Sequence, residues 1–310
     1  MEMHQLRYVV AVAHTGNFSR AAEQCHVSQP SLSQQIQKLE DELGERLFDR
    51  LQRAVKLTSA GETFLPHAHR ILDEVEAAKR EATDAGKLVR GNLSIGVLPT
   101  IAPYLLPSLL TAYTKRFPGV DVMLHEDVTA RVLRLALRGD VDLALTSLPL
   151  PDARFEVSEL FAEELLLALP LGHPLLHRQP LSLGHLGEER FIVMQEGHCL
   201  GDQVLSFCDR RDLSVKVRFR SAQLATILAL VGEGMGVSLI PAMAAKAGAH
   251  GVEFRSLTAP RPQRAIVAAR PRQRPPSRAA TEFLKLLRAE TRGMPQASPR
   301  GRRVEGLPND

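Results

Sequence analysis

Ser28-Gln-Pro-Ser-Leu-Ser-Gln-Gln-Ile-Gln-Lys-Leu-Glu40 has the marks of a short helix that is apolar on one side and uncharged but polar on the other. Ser28 is placed to cap the first free amides, and Pro30 falls in the first turn, where its missing N–H is tolerated. Leu32, Ile36 and Leu39 recur at helical spacing and define a core face. Gln29, Ser31, Ser33, Gln34 and Gln37 occupy the outer face, with amide and hydroxyl groups of the kind that reach base edges in a major groove.

Two shorter helices precede it. Leu6, Val9, Val10 and Ala13 repeat at helical spacing, Gly16-Asn17 punctuates, and Ser19-Arg-Ala-Ala-Glu-Gln-Cys25 forms a small Ala-rich helix before a tight turn at His26-Val27. Three helices this short predict a helix-turn-helix. After Gly44, the run Glu45 to Leu57 alternates and bends like a small hairpin wing, with Arg46, Arg50, Arg53 and Lys56 available for phosphates. A polar helix face with four basic residues also describes an ordinary solvated surface, and pattern alone leaves both readings open.

The connector begins at Thr58 or Ser59, either of which can cap a helix, with Glu62 three residues after Ser59 as in a capping box. Leu65, Ala68, Leu72, Val75 and Ala82 follow steps of three and four, broken at Lys79, which predicts a coiled-coil seam up to Gly86. The competing arrangement, a helix packed on its own domain, lacks a neighbouring helix in this segment to cover the stripe. Two copies paired here imply two half-sites in double-stranded DNA.

From Gly91 the pattern changes to strands alternating with helices. Leu93 to Leu98, Val120 to His125 and Val141 to Leu148 read as strands, and Tyr104 to Phe117 and Ala130 to Arg138 as helices, a βαβαβ run. Phe161 to Leu169, Phe191 to Met194, Val215 to Phe219 and Gly236 to Pro241 read as further strands, with Leu224 to Val231 as a helix and a second α/β lobe as the outcome. Ligands in such sheets sit beyond the carboxyl ends of strands, near helix N-termini that favour negative charge. Thr100, Thr129 and Cys199 meet that description. Thr281 to Arg292 reads as a last helix, and residues 293–310, rich in Pro, Gly, Arg and Ser, are expected to be a disordered tail.

A chain of 310 residues, 44% hydrophobic and 24% charged, is globular and long enough for two or three domains. Its net charge of +4 is unevenly placed: residues 261–310 carry 12 Lys/Arg against four Asp/Glu, while residues 1–60 carry seven of each. The basic surplus therefore belongs to an Arg-rich C-terminus and argues only weakly for nucleic acid. No basic and apolar leader opens the sequence, and no apolar run approaches the roughly 18 residues of a membrane helix. The cytoplasm and no membrane contact are the expectation, with the three cysteines as thiols at rest.

Two of those cysteines lie in Glu196-Gly-His-Cys199-Leu-Gly-Asp-Gln-Val-Leu-Ser-Phe-Cys208. A helix starting at Cys199 puts Leu200, Val204 and Phe207 on one face with Cys208 beside them, and points Cys199 away. Nine residues of helix hold the two α-carbons about 13 Å apart, whereas a disulfide needs them within about 7 Å. The pair cannot bond without remodelling the helix, which makes it a candidate redox switch. Zinc is disfavoured, because His198-Cys199 with Cys208 lacks a paired C-x₂-C or a second well-spaced His. Cys25, on its short helix, reads as a buried small residue, and no cofactor is implied.

Ala21 to Gly44, with Leu47-Phe48-Asp49-Arg50 and Leu57-Thr58-Ser-Ala-Gly61, resembles the LysR-type transcriptional regulators over some sixty residues of motif in the family's order. The resemblance implies a winged helix-turn-helix over residues 1–58, a linker and dimerisation helix over 59–90, and a two-lobed, periplasmic-binding-protein-like effector domain over 91–292. It makes Gln29, Pro30, Ser31, Ser33, Gln34, Arg50 and Arg53 the DNA-binding set of a homodimer or homotetramer that acts on promoter DNA with RNA polymerase as partner.

Gly197-His-Cys199 to Cys208, with Leu98-Pro-Thr100, Pro103 to Pro107 and Leu124 to Thr129, is similar to the hydrogen-peroxide-sensing members of that family. That likeness implies Cys199 as the peroxide-reactive thiol, Cys208 as its disulfide partner, and Thr100, Thr129, His198 and Arg264 as the peroxide pocket. Such a thiol has to ionise readily, which a helix N-terminus and a nearby Arg264 would favour. The hydroxyls and His198 would hold the peroxide and protonate the leaving hydroxide. The family commonly has Arg after Cys199-Leu200, and Gly201 here removes a charge and loosens the helix start. Two other functions compete: a regulator answering a carboxylate metabolite bound by Thr100 and Thr129, and a peroxidase, which the DNA-reading motif argues against.

Overall fold

The computed structural model describes residues 1–51, 54–83, 89–150 and 152–295. The chain divides into two compact units, Met1–Leu88 with Leu137–Asp140, and Val89–Ala136 with Val141–Asp310. Among the described residues no helix is long and apolar enough to cross a membrane.

In the first unit, α1 (Met3–Thr15), α2 (Phe18–Gln24) and α3 (Gln29–Leu43) precede a hairpin of β1 (Phe48–Leu51) and β2 (Ala54–Leu57), followed by α4 (Ser59–Thr83). Ser28 caps α3 by accepting from Ser31 N, and Gly44 ends it at φ +72°, a left-handed torsion that glycine adopts freely. Leu32, Ile36 and Leu39 are fully buried with Val9, Val12 and Phe48, as their spacing predicts. Glu40, on the inner side, accepts from Leu47 N and Phe48 N and so fixes where the wing leaves the helix.

Thr58, rather than Ser59, caps α4 through Gly61 N. Gly61 lies against the wing: a Cβ there would come 2.1 Å from Leu47 O, so only glycine permits this approach. The expected seam is divided. Ala60, Phe64 and Leu65 pack onto the N-terminal core, α4 meets α1, and Ala68 is fully buried, so α1 supplies the cover that the sequence reading found lacking. Leu72 and Val75 are half-buried, and the predicted end at Gly86 lies outside the described residues.

The second unit begins with β3 (Arg90–Val97), α5 (Ala102–Arg116), β4 (Gly119–Glu126), α6 (Thr129–Arg138) and β5 (Leu143–Ser147), the expected βαβαβ run. Then come β6 (Phe155–Pro170), β7 (Arg190–Met194), α7 (Cys199–Asp209), β8 (Lys216–Ser221), α8 (Leu224–Gly232) and β9 (Ser238–Pro241). Last are α9 (Ala242–Ala247), β10 (Val252–Arg255), β11 (Gln263–Pro271) and α10 (Arg278–Thr291).

The main sheet runs β10-β6-β11-β5-β3-β4, with β9 also on β6, and β7 pairs with β8 in parallel. β6 ties the lobes together: Phe155 to Glu164 pair with β11 in the first, and Leu165 to Pro170 with β9 and β10 in the second. Each lobe has its own core, one around Leu93, Ile95, Leu106, Tyr113 and Phe283, the other around Leu167, Phe191, Ile192, Val204 and Ile227.

Four elements depart from the sequence reading. β6 starts six residues earlier than expected, α9 and β10 were not anticipated, and residues 263–271 form an inner strand, β11. The end of α10 also leads on into ordered chain, since Met294 packs on the first lobe's core and Pro295 O accepts from Ala162 N at 2.7 Å. Residues 296–310 lie outside the described residues.

Candidate functional site

α7 begins where the sequence places it. Gly197 turns the chain at φ +86°, His198 stands at the N-cap, and Cys199 is the first helical residue. Its position faces unsatisfied amides and the positive end of the helix dipole, both of which favour an anion. The two sides of the helix serve different lobes. Leu200 and Val204 are buried in the second lobe, while half-buried Cys199 packs against the first lobe's core.

Cys199 Sγ lies 3.2 Å from Ser147 Oγ, at the carboxyl end of β5. Gln203, one turn further along α7, donates from Nε2 to Ser147 Oγ at 2.9 Å and to Leu148 O at 2.6 Å. The Gln203 Oε1, Thr129 Oγ1 and Thr146 Oγ1 atoms are buried without a hydrogen-bond partner. Unsatisfied buried polar atoms are uncommon, and Gln203 Oε1 belongs to the same amide that holds Ser147 beside Cys199, whereas Thr146, next to Ser147 on β5, points to the opposite face of the sheet.

Cys208, at the far end of α7, has no exposed surface, and burial, aided by Asp209 and offset by Arg211, pushes its thiol up to about 11. Both thiols are free. Cys25 is half-buried against the N-terminal core, and burial raises its thiol too, offset by Arg7.

Arg264 and Thr100 do come together. Arg264 donates from Nη1 to Thr100 Oγ1 at 2.8 Å and from Nη2 to Thr100 O at 2.9 Å, and from Nε to Glu163 Oε1 at 2.7 Å. Its side chain is wholly buried, and the Glu163 carboxylate that neutralises it also accepts from Met243 N at the start of α9. Arg264 is thus engaged with Thr100 and Glu163. Among the described residues, no hydrogen bond joins Cys199 to Thr100, Thr129, His198 or Arg264.

Thr129 opens α6, as expected. His198 is buried, and burial holds its ring below the ordinary value against the pull of the Asp127 and Asp202 carboxylates. Asp127 is itself fixed by Val128 N and Arg131. Among the described residues no group of His, Cys, Asp or Glu is arranged to hold a metal ion.

Ser147, Gln203 and Glu163 were missed by the sequence reading. Gln203 had a signal, since residues four apart on a helix share a face, and Ser147 had a weaker one in ending a parallel strand. Glu163 had none, as its partner is 101 residues away.

On the first unit, Gln29, Pro30, Ser31 and Gln34 are exposed and Ser33 half-buried along one side of α3. Gln29, Pro30, Ser33, Gln34, Gln37, Lys38 and Asp41 line a shallow groove of about 550 Å³ there. Arg50 is placed on β1 by its backbone, and Arg53 lies outside the described residues.

Residues 3–62 match the family described as bacterial regulatory helix-turn-helix protein, lysR family, and residues 86–292 match the LysR substrate binding domain. The chain is 37% identical over 268 residues to the DNA-binding transcriptional dual regulator OxyR of Escherichia coli K12, covering 86% of this chain and 88% of that protein. It superposes with a TM-score of 0.79 and 30% identity on a full-length OxyR from Pseudomonas aeruginosa in which aspartate replaces a cysteine, covering 95% of each chain. A cysteine-to-serine variant of Corynebacterium glutamicum OxyR, hydrogen peroxide bound, gives a TM-score of 0.61 at 31% identity over 93% of this chain and 92% of that one.

Proposed function

We propose that this chain, which belongs to the LysR family of bacterial transcriptional regulators, senses hydrogen peroxide at Cys199 and reports it by forming a Cys199–Cys208 disulfide. The observation that carries this reading is the contrast within one helix: a half-buried thiol at the N-terminus of α7, against a Ser147 hydroxyl that Gln203 also holds, and a sealed, protonated thiol at its end.

In the first step the Cys199 thiolate attacks one peroxide oxygen, the O–O bond breaks, and hydroxide leaves to take up a proton. Cys199 becomes a sulfenic acid. The orphaned Thr129 hydroxyl is suited to hold the peroxide. His198, kept neutral by burial, offers a ring N–H as a hydrogen-bond donor rather than an imidazolium acid. In the second step the Cys208 sulfur attacks the sulfenic sulfur, the S–S bond forms, and water leaves. About 13 Å of helix separates the two α-carbons, so α7 must unwind first. That local collapse is the signal.

Its output is a change in promoter binding. α3 reads base edges through Gln29, Ser31, Ser33 and Gln34, helped by Pro30, while Arg50 and Arg53 on the wing hold phosphates. Two or four copies, joined through the outer part of α4, would address paired half-sites in the cytoplasm and act with RNA polymerase.

Peroxide treatment of anaerobic protein, followed by mass mapping, should give a Cys199–Cys208 crosslink with Cys25 unmodified; its absence at low peroxide would overturn the reading. Cys199→Ser should abolish the peroxide-dependent change in DNA footprint, while Cys208→Ser should stop at the sulfenate. Gln29→Ala should relax sequence preference, whereas uniform weakening across sequences would make Gln29 a phosphate contact.

A further inference from the structure

Gly201 stands two residues after Cys199 and seven before Cys208, so with Val204 it lies on the face of α7 that buries Cys208. That face sits directly on the end of β7. A Cβ at Gly201 would come 2.7 Å from Met194 O, 3.3 Å from Met194 C and 3.4 Å from Met194 Cβ. The obstacle is backbone, and it is held. Met194 pairs with Ser221 on β8, and Gln195 N donates to Ser221 O at 2.9 Å. Gly201 itself has helical torsions, with its N–H donating to His198 O at 2.9 Å, so the demand for glycine comes from space rather than from φ.

We infer that Gly201 is a positioning residue for the thiol switch: its close approach to Met194 clamps the first turn of α7 onto β7, seals Cys208 in the reduced state, and opposes disulfide formation. This rests on the peroxide-sensing reading above for its link to oxidation, though not for the clamp itself. A side chain at this position pushes the first turn off β7, strains the helical state, and leaves the unwound, disulfide-bonded state unaffected. Gly201 therefore sets the balance between the two.

Two physical effects predict opposite signs for Gly201→Ala. Alanine is the better helix former, so propensity alone shifts the equilibrium roughly fivefold toward the reduced helix. The clash with Met194 predicts a shift of about tenfold toward the disulfide, a reduction potential about 30 mV more negative. The full chain and its Gly201→Ala variant, equilibrated in glutathione buffers and quantified by alkylation and mass, decide between them. A shift toward the disulfide supports the clamp, and no shift or a shift toward the thiols overturns it.

If the wild-type protein forms no disulfide, the sensing reading fails, and the clamp is judged in the reduced protein by alkylation of Cys208. Labelling should be about tenfold faster with alanine at 201, and an unchanged or slower rate overturns the inference. A reading that needs no variant guards against misfolding: hydrogen exchange of the reduced wild-type chain should protect the Gly201 amide as strongly as that of Met194. A frayed first turn would sink the clamp.

Discussion

Cys199 and Gln203, one helical turn apart on α7, converge on a single atom, with Ser147 Oγ 3.2 Å from the sulfur and 2.9 Å from the amide nitrogen. Gln203 can only donate from Nε2, so it fills an acceptor site on the hydroxyl and leaves the hydroxyl proton free to point at Cys199. A hydrogen bond to a charged sulfur is worth about 1.5 kcal/mol or more. Ser147→Ala should slow peroxide oxidation of Cys199 by about tenfold in stopped-flow assays, and Gln203→Ala by less. Equal rates in all three proteins would show that the hydroxyl does not serve the thiolate.

Cys208 is expected to resist alkylation in the reduced protein through pH 9, because burial holds its thiol protonated. Its raised folded value has a stability consequence. The unfolded thiol ionises near 9 and the folded one at about 11, so the stability that the neutral thiol contributes is intact below 9 and falls away as pH rises to 11. About 2 to 3 kcal/mol is at stake. Urea unfolding of Cys208→Ala against wild type from pH 8 to 11 should show a flatter alkaline decline in the variant.

Removing one partner of the Arg264–Glu163 pair strands a charge in the interior. Glu163→Ala should destabilise the second unit by about 3 to 5 kcal/mol, as is usual for a broken buried pair. Glu163→Gln should lose less, since an amide oxygen can still accept from Arg264. Thermal unfolding followed by circular dichroism would separate the two, and equal losses would assign the effect to packing instead.

His198 points the pH dependence the other way. Burial lowers its folded value, so the unfolded ring binds a proton first as pH falls below about 6.5. Stability is therefore present above that value and declines toward pH 5. His198→Asn should weaken that decline, and NMR should find the wild-type ring more than half neutral at pH 6.5. A ring mostly protonated there would contradict the assignment.

The N-terminal helices were legible because their apolar spacing, caps and breaks agree with one another. The start of α7 was legible for the same reason, and with it the division of labour between Cys199 and Cys208. β11 was hidden by Arg264, a charge at a fully buried strand position, and by the prolines that follow. β6 was read from Phe161 because Glu156, Ser158 and Glu159 break the apolar pattern in its first half. Partners such as Glu163 and Arg264 meet only once β6 and β11 pair, which local periodicity does not encode. The same limit applies to α4, whose stripe looked unpartnered until α1 folded back onto it.

The bond between Pro295 O and Ala162 N changes where the second unit ends. The family match stops at residue 292, yet the first half of β6 forms the outer margin of the first lobe's sheet, beside Glu163. Three residues past the match, the chain closes one rung of that margin. Trimming at 292 would bare an amide on an open strand edge, the kind of surface through which sheets join end to end. A protein cut there should self-associate more readily than one cut after 295, although both keep every residue of the thiol switch.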